Sequence, residues 1–194
     1  MSGNMEAKTK FILASHSPRR IEILHKMGIE FETAPADIDE SKVHEQNPQK
    51  LVKRLSQEKA GAVDDKNAVV IGADTIVVKD DKMYGKPHTE EVAVQMIKEL
   101  RGAWHIVYTG VTVNYLGKTK TFVEKSKVKF KNLTDEQIAD YVSKCKPLDK
   151  AGAYGIQDET VVDTYKGSYT NIVGLPREKL AKTLERFGVY YGIH

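Results

Sequence analysis

Four cations and one carboxylate occupy positions where the chain changes element. Residues 11–20, FILASHSPRR, pass from an apolar run straight into Ser15, Ser17, Arg19 and Arg20. A strand that ends at a helix N-terminus gathers free backbone N–H groups and the positive end of a helix dipole, which favours an anion. Serine hydroxyls add donors, and a guanidinium fork matches phosphate oxygens two at a time. Lys59 follows Leu55 by four residues and Leu51 by eight, so it shares the apolar side of a helix and points inward. Asp74 closes the apolar run VVIGAD, at the carboxyl end of a buried strand. There it is placed to hold a divalent cation or to take a proton from water. Lys86 lies in the restrained turn GKP, and DIDE contributes Asp37, Asp39 and Glu40. Several cations with a few carboxylates make a polyphosphate site with a magnesium-type metal, because that ion takes one or two carboxylates plus substrate phosphates.

The elements that must hold these residues follow from pattern. KFILAS reads as a strand, and Ser17-Pro18 caps a helix that Gly28 stops. FETAP is a short strand, and Asn47-Pro48 opens a second helix with Leu51, Val52 and Leu55 inward. AVVIGADTIVV suits a strand buried on both faces, KDDK a turn and KMYGKP a returning arm. Thr89 starts a helix that Gly102 ends. WHIVYTGVTVNY and KTKTFVEKSKVKF are two long strands turning at Leu116-Gly117, and Thr134 starts a further helix. DKAGAYGIQ is a loop, VVDTYKGSYTNIV is expected to be a hairpin turning at Lys166-Gly167, and a last helix runs from Pro176 to Phe187. The order predicts an α/β fold: an elongated mixed sheet with flanking helices, parallel early and antiparallel later, in two lobes around a central cleft. Residues 1–10 are expected to be a disordered tail and 11–194 a single domain.

Composition bounds the function class. The net charge is +3, with 30 basic against 27 acidic residues. That balance argues against stable nucleic-acid binding by bulk charge, so local clusters must carry any anion recognition. Cys145 is the only cysteine, which excludes an intrachain disulfide and fits a reducing compartment. No apolar run spans a membrane, and the N-terminal residues lack the apolar core of a signal peptide. The six histidines are scattered without zinc spacing. Neither a Walker nor a kinase signature occurs.

The motifs LASHSPRR, IGADTIVV, GKP, HIVYTGV, PLDKAGAYGIQ and GSYTNIVGLP occur in this order. Together they resemble the Maf (septum formation) family of nucleoside triphosphate pyrophosphatases, over residues 11–187. The resemblance implies a cytoplasmic enzyme, often a homodimer, that cleaves a nucleoside triphosphate to the monophosphate and pyrophosphate with Mg²⁺ or Mn²⁺. It implies phosphate contacts from Ser15, Arg19, Arg20, Lys59 and Lys86, catalysis by Asp74, and metal binding by Asp74 and Glu40. It implies base recognition by Gln157 with Thr75, in the subgroup acting on dTTP and UTP, where clearing such nucleotides keeps them out of nucleic acids. Lys146, Asp158 and Arg177 depart from the pattern of the related sequences, and Asp158 stands next to the expected base reader. A non-catalytic nucleotide-binding regulator of septation is the alternative. Such a protein has no need of an in-line carboxylate at Asp74.

Overall fold

The computed structural model describes residues 8–192. Seven strands form one mixed sheet: β1 (Phe11–Leu13), β2 (Glu32–Thr33), β3 (Val69–Lys79), β4 (Lys82–Tyr84), β5 (Trp104–Tyr115), β6 (Lys118–Phe130) and β7 (Val162–Lys166). Six helices flank it: α1 (Pro18–Lys26), α2 (Pro48–Gly61), α3 (Glu90–Leu100), α4 (Asp135–Cys145), α5 (Tyr169–Val173) and α6 (Arg177–Arg186). The strand order is β2-β1-β3-β5-β6-β7, with β4 also on β3. β1 pairs in parallel with β2 and β3, and every later pairing is antiparallel. The expected tail falls largely outside the described residues. Among the described residues no helix is long and apolar enough to cross a membrane.

Capping starts the helices where the sequence places polar residues. Ser17, Asn47 and Thr89 each accept a backbone N–H of the first turn, and Thr134 with Gln137 forms a reciprocal capping box. Two tight turns, Asp80-Asp81 and Leu116-Gly117, have positive φ at both residues. That is the twist a two-residue hairpin needs.

One segment differs from expectation. The stretch after Lys166 does not return as a second hairpin arm; it winds into α5. Ser168 accepts the Asn171 N–H, and the Asn171 amide reaches the Val107 carbonyl (3.3 Å) and Ser126 Oγ (3.0 Å) inside the protein. Gly167 makes the turn at φ +102, where a Cβ would lie 2.9 Å from Ser126 Oγ. A β-like composition yields here to a buried amide that a strand could not have placed.

The long strands pass through two apolar cores. One collects Leu13, Leu24, Ile71, Val111 and Leu180 under α1 and α6; the other collects Val77, Ile97, Val107, Phe130 and Ile138 under α3 and α4. Between them, β1 pairs with Val69, Val70 and Ile71 of β3, and β4 pairs with Val77, Val78 and Lys79, while β5 occupies the opposite edge throughout. Residues 72–76 of β3 therefore have one unpaired edge, and side chains from both sheet faces reach the opening.

Candidate active site

The cleft at this gap has a volume of about 440 Å³. Five cationic side chains, Arg19, Arg20, Lys59, Lys86 and Lys150, line it against three carboxylates, Glu40, Asp74 and Asp149. The surplus is positive, as a polyphosphate requires.

On the α2 face, Asp74 receives the Lys59 Nζ at 2.8 Å, and the same Nζ lies 3.0 Å from Glu40 Oε1. The side chains of Lys59 and Asp74 are 14% and 13% exposed, while Glu40 is 55% exposed. Lys59 can reach because α2 lies hard on the sheet. A Cβ at Gly110 would come within 2.3 Å of the Val52 carbonyl, and one at Gly72 within 2.5 Å of the Ser56 carbonyl. Hydroxyls pin the same helix in one direction. Ser56 gives its proton to the Lys53 carbonyl, so Thr112 must donate to Ser56, and Thr121 in turn to Thr112. The inward lysine of the sequence thus meets anions in the cleft: it bridges two carboxylates. Of the DIDE run, Glu40 alone lines the cleft. Asp39 instead accepts the Ser41 N–H of a short 3-10 turn and pairs with Lys42.

Across the β3 edge, Arg20 is held on three sides. Its Nε donates to the Gly174 carbonyl (2.8 Å), one terminal nitrogen to Thr75 Oγ1 (3.2 Å) and the other to Ser15 Oγ (3.5 Å). Burial pulls this guanidinium below its usual range, and the charge of Asp74 opposes the shift. Thr109 gives its single proton to the Asn171 carbonyl, so in the 2.8 Å contact between Thr75 and Thr109 the donor is Thr75. Thr75 has no proton left and can only accept. Ser15 also accepts the Ser17 N–H at 3.1 Å; it backs Arg20, while Ser17 itself lines the cleft.

The remaining residues come from loops. Arg19 donates to the Asp149 carboxylate (3.2 Å) and backbone carbonyl (3.3 Å), which ties α1 to the loop after α4. Gly152 N donates to the Gly85 carbonyl at 3.1 Å and binds that loop to the GKP turn, so Lys86 and Gln157 belong to one wall. Gln157 is exposed, its amide folded over Gly155, whose Cβ position lies 2.9 Å from either amide heteroatom. Asp158 points away from the opening. Its carboxylate accepts from Tyr141 OH and from Gly155 N (2.9 Å), bracing the loop beneath Gln157. Lys146 pairs with Glu90 and Arg177 with Glu178, and neither lines the cleft.

Of the expected site residues Ser15, Asp37 and Asp39 do not line the cleft, and the others do. Reasoning from the sequence overlooked Asp149, Lys150, Thr109, Asn171 and the Gly174 carbonyl. Asp149 and Lys150 stood inside the quoted PLDKAG motif. Nothing in a linear pattern marks a carbonyl or a threonine as the seat of an arginine 154 or 55 residues away.

Two carboxylates separated by one point cation offer hard oxygen donors of the kind Mg²⁺ and Mn²⁺ take, with phosphate oxygens completing the shell. Among the described residues no cluster of three or more His, Cys, Asp or Glu could hold a metal unaided. Asp74 and Glu40 fit a hard divalent ion.

The family model described as Maf-like protein matches residues 10–187. The chain belongs to the Maf family. Its relatives include proteins named dTTP/UTP pyrophosphatase from Thermosipho africanus, 47% identical over 88% of this chain and 90% of the relative. Those of Thermosipho melanesiensis and Acetivibrio thermocellus, with the same name, are 48% identical (87% and 93% covered) and 45% identical (93% and 96% covered). The Maf match spans both cores and every motif that forms the cleft.

Proposed function

We propose that this Maf protein is a nucleoside triphosphate pyrophosphatase that hydrolyses dTTP and UTP to the monophosphates and pyrophosphate, with Mg²⁺ or Mn²⁺. The observation that carries the reading is Asp74 facing Lys59 and Glu40 on one side of the β3 edge and Arg20 on the other. The printed names of the relatives supply the substrates.

In this reading Asp74 accepts a proton from water as the water oxygen forms a bond to the α-phosphorus. The bond from that phosphorus to the bridging oxygen breaks, and pyrophosphate leaves with the electron pair. Arg20, backed by Ser15, holds phosphate oxygens. Lys86 and Arg19 add charge along the chain of phosphates, and Asp149 fixes the angle of Arg19. A divalent ion on Asp74 and Glu40 would neutralise phosphate charge. Lys59 keeps these two carboxylates together in the free protein and is the cation with which that ion competes.

Gln157 offers both a donor and an acceptor, which suits the mixed edge of uracil or thymine. Thr75 can accept the ring N–H but has nothing to give a carbonyl. Cytosine lacks that N–H, so a site of this kind leaves groups unpaired against it. The test is pyrophosphate release from dTTP, UTP, CTP and 7-methyl-GTP, with and without Mg²⁺ or Mn²⁺. Turnover of dTTP and UTP that requires metal, with CTP and 7-methyl-GTP slow, is the expected result. Equal kcat/KM for all four would remove the base assignment, and no turnover with either metal would leave a nucleotide-binding regulator.

A further inference from the structure

The sheet face that carries α2 is only half covered. Toward the β3–β4 turn its last cover is Val52, which packs on Ile76, Val78 and Tyr108. The helices α5 and α6 lie on the opposite face with Asn171, Leu180 and Leu184, and α3 and α4 pack on Val107, Val128 and Phe130. The pairing registers then place Met83, Val78, Ile106, Lys127 and Lys166 in a single cross-strand row over β4, β3, β5, β6 and β7. Trp104 and Lys129 stand opposite one another in the next row, and Tyr108 and Lys125 in the row before.

Val78 and Tyr108 are buried beneath this face and Met83 and Ile106 are half-buried, so solvent meets mainly the lysines and Trp104. Trp104 is 39% exposed, with Lys166 Nζ 5.4 Å from its ring centroid. Lys129 has a distant carboxylate, Asp163 at 3.8 Å; Lys125, Lys127 and Lys166 have no ion pair among the described residues. None of these residues lines the cleft. An apolar partner would strip water from the Lys125 and Lys127 ammonium groups and from that of Lys166 over the indole, and an acidic peptide would leave the indole without a stacking partner. A partner with repeating negative charge and flat π faces uses both. Alternate residues along β6 are about 7 Å apart, so Lys125, Lys127 and Lys129 form a ladder of charge beside the indole.

We propose that this face binds single-stranded nucleic acid, stacking a base on Trp104 while its phosphates run over Lys125, Lys127, Lys129 and Lys166. Stacking on an aromatic platform beside a basic track is the physics of sequence-tolerant single-strand binding. The net charge of +3 gives no hint of it, because a whole-chain sum averages over the faces.

Trp104 is the only tryptophan, so its emission reports this face alone. The experiment titrates the full chain with fluorescein-labelled oligodeoxyadenylate in EDTA, following anisotropy and indole emission from low to moderate salt. Purine bases and the absence of divalent metal keep the nucleotide cleft out of the signal. Expected are saturable binding, quenching of Trp104, and a slope of log affinity against log salt of about −2 to −3 for three or four phosphate contacts. K127E/K166E should weaken binding at least about tenfold and flatten the slope. Trp104→Leu should weaken it about tenfold with the slope kept. Both variants should hydrolyse dTTP as the parent does. An unchanged anisotropy at low salt, K127E/K166E binding at parental affinity, or displacement by polyglutamate as efficient as by unlabelled strand would each overturn the proposal.

Discussion

At Lys59 an ammonium group lies 2.8 Å from Asp74 and 3.0 Å from Glu40, and that reverses what its position along α2 suggests. A lone inward lysine costs desolvation, and its replacement by methionine would be expected to stabilise. Here removal leaves two carboxylates facing each other, one of them buried. Breaking a buried pair by deleting one partner is destabilising. Because Glu40 is half exposed, the expected loss in Lys59→Met is reduced to about 1–2 kcal/mol. Urea unfolding without metal measures it, and Mn²⁺ should raise the variant's Tm more than the parent's. Stability at or above the parent without metal would count against the bridge. Asp74→Asn is expected to cut kcat at least about a hundredfold while the far-UV spectrum stays native, since the amide neither accepts the water's proton nor carries charge for a cation. A folded Asp74→Asn protein with parental turnover would end that assignment.

Elements set how far those side chains can be displaced before chemistry suffers. The seat of α2 is two glycines deep, and Gly110→Ala puts a methyl into the Val52 carbonyl. Overpacking of this sort costs about 1–3 kcal/mol and must lift the helix that carries Lys59. Thermal melts and steady-state kinetics should therefore fall together in Gly110→Ala; an unchanged kcat in a destabilised protein would separate the seat from the site. The short helix α5 plays the same part on the other face. Asn171 is fully buried and bonded to Val107 and Ser126, and its helix ends at the carbonyl that holds Arg20. Asn171→Ala should cost about 1–3 kcal/mol for the bonding groups left unpaired. It should also raise KM for dTTP, because Arg20 loses its brace; a parental KM would show that the brace does not depend on α5.

Over the whole molecule, the two cores are clamps at either end of β3, β5 and β6, and pH acts on one of them. His105 is buried against Phe130 and Tyr154, its Nε2 2.8 Å from Tyr154 OH. Burial first, then the charge of Lys79, pulls the imidazole down to about 3. In the unfolded chain it titrates near 6.5. The unfolded state thus binds the extra proton between those values, and stability rises with pH there. It is complete above about pH 6.5 and falls by up to about 1.4 kcal/mol per pH unit as acid approaches 3. Urea midpoints from pH 7 to pH 4 should show this slope, and His105→Phe should remove it. A parental slope in that variant would place the acid sensitivity elsewhere.

Caps, apolar periodicity and strand-end charges are local signals, so the elements and most of the cleft's side chains are legible along the chain. Ser17-Pro18, Asn47-Pro48 and Thr134 start helices where they stand, and Arg20, Lys59, Asp74 and Lys86 reach the cleft. Partnership was decided only in three dimensions. Lys59 met carboxylates, Thr75 turned its hydroxyl proton toward Thr109, Arg19 found Asp149, and Asp158 turned under the loop toward Tyr141. The residues after Lys166 became a helix for the same reason: a buried amide needs partners that lie 45 and 64 residues away. Hydrogen bonds and ion pairs join groups by distance in space. A linear pattern records which groups are available, and the packing of α2 and α5 on the two faces of one sheet selects which of them meet.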